Sequence, residues 1–318
     1  MPQTLTEYIA ALDERSDLIW PKPPAAKPIK ATPACQPLPG LRCVLWSPYG
    51  TLLRIDTGEL HLEHPQPLRM SIALQKTIDE FKMWVSMSRK PGQPWEYLLQ
   101  QYTKLIEDAR LKATPKGDTP EVDAAEIWDK LIERLERNEY QWDRGLYGDR
   151  GALAQKVAYF FHASLQGVAA ADGAVDLLTP LPAAGIRCGV LGDGQCFTPG
   201  QILRAFGEQR RLQSISEVLA PDLIVLSSQI GVRQPSPSLM QAAVEALARS
   251  GLRPSQVLYV SHRHIRDLVP AKQAGLRTAL LVADGHCTQV DKADLKDPEK
   301  RPDRLMTSLD QVRRIIGV

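Results

Sequence analysis

The sequence predicts an α/β fold, a three-layer, doubly wound parallel sheet with a helical module inserted into it. Three observations carry this. Five short runs, at 41–46, 186–191, 222–227, 256–261 and 277–282, are mostly continuous apolar stretches, as strands covered on both faces should be. The last four are separated by helical segments with readable caps. A long stretch of different texture divides the first run from the second. Strands that alternate with helices pair in parallel through right-handed crossovers.

Taken in order, Leu5, Ile9 and Leu12 recur at helical spacing within residues 4–19. Seven prolines follow between Pro21 and Pro39, which excludes a helix and predicts a stiff, extended linker. Residues 1–40 therefore read as an N-terminal arm, either packed on its own body or docked on a protein partner. The α/β core is expected over 41–65 and 173–318, and the inserted helical module over 66–172. In that module Trp95, Leu98, Leu99, Tyr102, Leu105, Ile106 and Ala109 trace one helix face. Ile127, Trp128, Leu131, Ile132 and Leu135 trace another, preceded by Asp123-x-x-Glu126, a capping-box pattern. Segments 68–89 and 151–170 are further helices, and the Trp and Leu stripes read as bundle core. In the core, Thr198-Pro199 opens one helix and Ser236-Pro237 opens another that runs to Gly251; residues 267–275 form a short one ending in glycine.

Composition narrows the function. The chain has 318 residues, 39 Lys and Arg against 37 Asp and Glu, a formal charge of +2, 43% apolar and 24% charged residues. Wholesale disorder is excluded, and the balanced charge gives no electrostatic reason to expect nucleic acid. No apolar run approaches the roughly 20 residues of a membrane helix, so no membrane is expected. Glu7, Asp13, Glu14 and Asp17 are wrong for a secretory leader. Cys35, Cys43, Cys188, Cys196 and Cys287 show no CxxC spacing, so neither a disulfide framework nor a zinc site is implied, and a cytoplasmic setting is expected.

Ligands of such a sheet sit beyond the carboxyl ends of its strands. There the chain reads Trp46-Ser47-Pro48-Tyr49-Gly50-Thr51-Leu52-Leu53, Gly192-Asp193-Gly194, Gly231-Val232-Arg233-Gln234-Pro235-Ser236-Pro237, and Ser261-His262-Arg263-His264-Ile265-Arg266-Asp267 followed by Ala274-Gly275-Leu276-Arg277-Thr278. In order and context these segments resemble the four motifs of the haloacid dehalogenase-like (HAD) superfamily, over 41–318, with the helical insert matching the family's cap. The resemblance implies a Rossmannoid hydrolase fold. It also implies roles that this chain does not fill. The nucleophilic and acid/base aspartates of Asp-x-Asp-Gly-Thr are Ser47 and Tyr49. The phosphate-binding hydroxyl is Gly192, the phosphate-neutralising lysine is Gln234, and the metal-binding aspartate is His262; Asp267 alone survives. Mg2+ prefers carboxylate and water oxygens, so its binding is expected to be weak or absent, and no other cofactor is implied. Loss of a nucleophile alone can remove a factor on the order of 10^6. The expectation is a HAD-like protein that has lost Mg2+-dependent aspartyl-phosphate chemistry and serves as a binding or regulatory pseudoenzyme.

Three other arrangements stay open on the residues. Ser47, His262 and Asp267 are the ingredients of an activated nucleophile, which would make the chain an unorthodox hydrolase. His262 with His264, or His286-Cys287 beside Asp284, could approach a metal, although no recognisable spacing supplies further ligands. Arg233, Arg263 and Arg266, with His262 and His264, lie on motif loops. They either face solvent or convert the pocket into a metal-independent site for a small anionic ligand.

Overall fold

The computed structural model describes residues 1–87, 92–288, 290–291 and 293–318. Helix α1 (Leu5–Leu12) opens the chain behind a Thr4–Glu7 capping box. Strands β1 (Cys43–Trp46) and β2 (Leu53–Ile55) follow. The insert holds α2 (Pro67–Glu80), α3 (Pro94–Arg110), β3 (Thr119–Pro120), α4 (Ala124–Glu136), α5 (Arg144–Tyr147) and α6 (Arg150–Leu165). The chain then runs through β4 (Val168–Ala170), α7 (Ala174–Leu178), β5 (Arg187–Gly192), α8 (Thr198–Gly207), β6 (Ile224–Leu226), α9 (Ser227–Ile230), β7 (Val232–Arg233) and α10 (Pro237–Arg249). It ends with β8 (Val257–Ser261), α11 (Val269–Gln273), β9 (Arg277–Leu281), β10 (Arg304–Met306) and α12 (Val312–Ile316).

Six strands make one parallel sheet in the order β10-β9-β8-β1-β5-β6. Its centre is buried on both faces, which is why the strands lack alternation: Cys43 and Leu45 of β1 join the core beneath α10 and α11, while Val44 and Trp46 join the core with α7, α8 and α12. The expected strand at 222–227 shortens to β6, because Pro221 starts a 3-10 turn and Ser227 already begins α9. Strand β10 escaped the sequence reading. It is three residues long and opens on Arg304, so it shows no apolar run. Ala34 bridges to Leu305 along its outer side and covers that edge.

The insert is helical, with its own core of Trp128, Tyr102, Phe160 and Phe161 among others. Two expected helices are cut short. The one at 68–89 ends at Glu80, with Lys82 at φ +52 and a 3-10 turn over Met83–Met87; residues 88 and 89 lie outside the described residues. The one at 151–170 stops at Leu165, and residues 168–170 instead form β4, antiparallel to β2. Capping differs in detail too. Asp123 accepts from the amides of Ala125 and Glu126, but Glu126 turns to Lys112 and Lys130. Ser236 does not cap α10; its hydroxyl accepts from Thr119 N–H across the β3–β7 pair. The short helix expected at 267–275 is a π turn over His264–Leu268 followed by α11.

The arm is extended where the prolines predict it, but it is anchored rather than a free linker. Tyr8, Ile9 and Leu12 of α1 are buried in the core of the insert. Lys27 N–H donates to Asp284, and Leu38 N–H donates to Ile315 O at 2.8 Å. No helix among the described residues is long and apolar enough to cross a membrane. Ile9 is 2% exposed, so Ile9→Ala is expected to destabilise the protein by about 2–5 kcal/mol. Denaturant titration checks this, and an unchanged midpoint would mean that α1 is not part of the cooperative fold.

Candidate functional site

The carboxyl ends of β1, β5 and β8 bring the motif loops together below the helical insert. Ser47 leaves β1 with its N–H still bonded to Val260 O at 2.9 Å, so its side chain is placed by the sheet. Ser47, Asp193, Arg233 and Arg263 on the core side, with Glu59, Leu62 and Glu121 opposite, line a cavity of about 130 Å3.

The site residues read from the sequence separate on inspection. Tyr49 is buried, donates to Gln201 Oε1 at 2.7 Å and shares a hydrogen bond with Thr198 Oγ1 at 2.9 Å. Burial raises its phenol, so it holds its proton and ties the loop to α8. Gly192 adopts φ +146, and a Cβ there would lie 3.2 Å from Pro48 Cδ. A side chain at this position would crowd Pro48. Gln234 is fully buried; its N–H donates to Asp193 Oδ1 at 2.8 Å, and neither atom of its side-chain amide has a partner among the described residues.

His262 is 2% exposed, and its imidazole fills the gap between two glycines. A Cβ on Gly50 would lie 2.3 Å from its Cε1, and one on Gly58 2.5 Å from its Nε2. Burial, aided by Arg263 and Arg266, lowers its pKa to about 3, so it is neutral. Among the described residues its Nδ1 has no hydrogen-bond partner, Ser47 included. Asp267 accepts from Ser261 Oγ at 2.6 Å and pairs with Arg263 at 2.8 Å. Ser47, His262 and Asp267, whose nucleophilic relay the sequence left open, are not joined by hydrogen bonds among the described residues: His262 packs on two glycines and Asp267 pairs with Ser261 and Arg263. His264 Nε2 lies 2.8 Å from Lys300 O, well away in role from His262. Asp284 accepts from Lys27 and His286 N–H, and burial pushes the neighbouring Cys287 thiol up to about 12. Among the described residues no group of three His, Cys, Asp or Glu side chains is placed to hold a metal.

The arginines do face the site, but their charge is already matched. Arg263, 10% exposed, pairs with Asp193 at 2.7 Å, Asp267 at 2.8 Å and Glu59 at 3.4 Å. Arg266 reaches Glu59 at 2.9 Å, and Arg233 reaches Asp193 at 3.4 Å. Three guanidinium groups thus meet three carboxylates, so these arginines are neither wholly turned to solvent nor left as the unbalanced anion site that the motif loops kept open. Burial works against ionised Asp193, yet Arg263, Arg233 and the Gln234 N–H outweigh it and hold its carboxyl below the usual range. Asp267 is completely buried, which pushes its carboxyl up against the pull of Arg263. Mg2+ does not fit this donor set. A guanidinium stands among the carboxylates, and where the motif resemblance places further carboxylates the chain carries Ser47 and a neutral His262.

Asp193, Glu59 and Glu121 were missed by the sequence reading. Asp193 stood in a quoted motif, and three arginines on neighbouring loops were themselves a signal that carboxylates must approach. Glu59 and Glu121 carry no motif and arrive from the hinge and the insert. Glu121 accepts from Val122 N–H at 2.8 Å and from the Ser227 hydroxyl. Burial, with Asp193 nearby, pushes its carboxyl up to about 7.

Glu121 yields a pH prediction. Its carboxyl titrates near 4.5 when unfolded and near 7 when folded, so its stabilising contribution is complete below the first value and lost as pH rises through the second. Against Glu121→Gln, the native protein is expected to lose about 3 kcal/mol between acidic and alkaline pH. Denaturant midpoints of both proteins across that range check it, and a difference that stays flat would refute the burial argument.

Residues 231–312 match a family model described as HAD-hydrolase-like. A glyceraldehyde 3-phosphate phosphatase of Methanopyrus kandleri is 30% identical over 92 residues, which span 29% of this chain and 38% of that protein's length. Among solved structures, the 2-haloacid dehalogenase of Pseudomonas syringae pv. Tomato DC3000 shares the fold at a TM-score of 0.52 and 19% identity, covering 87% of this chain and 98% of its own. A HAD phosphatase from Thermococcus onnurineus aligns at a TM-score of 0.46 and 15% identity, covering 87% and 98%. Residues 231–312 thus carry the HAD-hydrolase-like match, and the sheet order with its helical insert is the fold shared with the haloacid dehalogenase structure.

Proposed function

We propose that this protein is a HAD-fold binding or regulatory protein without Mg2+-dependent phosphoryl chemistry, and that its cavity takes a small polar molecule lacking net negative charge. The single observation that carries the reading is the placement of Arg263. A side chain of the protein supplies the cation at the centre of the motif loops and holds Asp193, Asp267 and Glu59 in ion pairs. Aspartyl-phosphate chemistry needs a free carboxylate nucleophile and an open cation site; Ser47 and Arg263 stand in those roles. The relatives' names include phosphatases and dehalogenases, and the shared fold leaves the chemistry to the site. A cytoplasmic setting accords with five free cysteines among the described residues.

Ester hydrolysis through Ser47 is the weaker reading, since His262 is packed on Gly50 and Gly58 rather than on the hydroxyl. A role as a docking arm is weaker as well, because the apolar face of α1 is covered by the chain itself.

The test is turnover of an aryl phosphate and an aryl ester, with and without Mg2+, beside Ser47→Ala. No turnover is expected in any arm, together with no thermal shift from Mg2+. Mg2+-dependent phosphate release would overturn the proposal, and ester cleavage lost in Ser47→Ala would restore the serine reading. Arg263→Ala strands a wholly buried Asp267 and is expected to cost about 3–5 kcal/mol in a denaturation experiment; a neutral result would deny Arg263 its structural role.

A further inference from the structure

The helical cap is joined to the core by the segments around β2 and β4, and the arm makes an additional crossing. Its first part belongs to the cap. Tyr8, Ile9 and Leu12 lie in the cap core, Arg15 pairs with Glu80 of α2 at 2.8 Å, and Gln3 N–H donates to Leu146 O at 3.0 Å. Its last part belongs to the core. Lys27 N–H donates to Asp284 at 3.0 Å, Gly285 N–H donates to Lys27 O at 2.7 Å, and Ala34 bridges to Leu305 of β10.

Between these anchors the chain lies directly on the second hinge segment. A Cβ on Gly167, which sits between α6 and β4, would be 2.3 Å from Lys22 C and 2.4 Å from Pro23 N. Those are backbone atoms, so a side chain at 167 could not be accommodated by a rotamer change. Arg204 of the core helix α8 fastens the crossing. It donates to Asp13 of the arm and, at 2.8 Å, to Tyr159 of cap helix α6, and its guanidinium lies 4.9 Å from the Trp20 ring. Pro21, Pro23 and Pro24 stiffen the few residues that span the gap. The arm lies against both sides: its apolar residues enter the cap core, and a Cβ on Gly200 of α8 would lie 2.5 Å from Ile9 Cδ1, while crevices of about 230 and 790 Å3 run along its path over α8.

We propose that residues 13–27 act as a strap that holds the cap closed over the cavity, and that releasing the strap from α8 and Gly167 lets the cap move as a unit carrying α1 with it. The proposal goes beyond the ligand reading and stands on the cap–core geometry alone. Opening about the β2–β4 hinge would separate β3 on the cap side from β7 on the core side, and the strap opposes that separation.

The test lengthens the strap without removing any contact. A Gly/Ser insertion of about twelve residues is placed between the exposed Ala25 and Ala26, and hydrogen exchange is followed by mass spectrometry. Exchange in 53–55, 119–120, 168–170 and 232–233 is expected to rise about tenfold while α6 and β5 keep their protection. Asp13→Asn with Trp20→Ala, which detaches the strap from Arg204 while leaving the Arg204–Tyr159 bond between α8 and α6, is expected to loosen the same segments. Unchanged exchange in both variants would overturn the proposal. So would a rise that includes α6 and β5 equally, since the arm would then be a general stabiliser. The readout needs neither ligand nor turnover, so its outcome is independent of the pocket's proposed occupant.

Discussion

A guanidinium placed beneath the cap at 10% exposure must be paired from several directions at once, and the site is arranged around that requirement. Arg263 follows β8 directly, so the sheet fixes where its charge enters. Asp267 comes from the π turn four residues on, Asp193 from the end of β5, and Glu59 from the segment beyond β2. Each partner fixes a further contact: Asp193 receives the Gln234 N–H, and Glu59 receives Arg266. Three loops and the hinge are thus held by one charge cluster. The low polarity that makes an unpaired ion costly there is what makes the paired cluster rigid.

The same constraint accounts for the acid–base state of the cavity. Asp193, surrounded by guanidinium groups, stays ionised despite burial, whereas at Glu121 beside it burial and Asp193 outweigh the pull of Ser227 and Arg233 and push the carboxyl up to about 7. Two carboxyls facing one cavity therefore differ in protonation because their neighbours differ. His262 is neutral for a related reason: it is enclosed by Gly50 and Gly58, with arginines behind it. The histidine occupies volume where the superfamily resemblance places a metal ligand. The glycines that accept it are ones the turn after β1 and the hinge already use at φ +71 and +72.

Much of the fold was legible because buried parallel strands announce themselves as apolar runs of the right length between helix caps. The failures are local and physical. β10 is too short and polar to signal a strand; it exists because β9 and the arm flank it. The helix expected at 151–170 stops at Leu165, two residues before Gly167, where the arm's backbone passes overhead, and nothing near residue 167 in sequence announces Lys22 and Pro23. Ser236 reads as a cap by position, yet it turns to Thr119, a strand partner brought from the insert. At the site, the altered motif positions were readable one by one, but the carboxylates that face them were not.

The sequence by itself determined the sheet, the helical insert and the replacement of the motif side chains at 47, 49, 192, 234 and 262, because strand runs, caps and motif spacing are properties of neighbouring residues. Only the tertiary structure decided what those replacements do. Whether Arg263 is a free cation or a paired one depends on Glu59 and Asp193, 204 and 70 residues away in the chain. Whether the arm is a linker or a strap depends on Gly167 and Arg204. Charge pairing and close backbone approach act through space over a few ångströms, and no local pattern of residues records which distant segment will supply the partner.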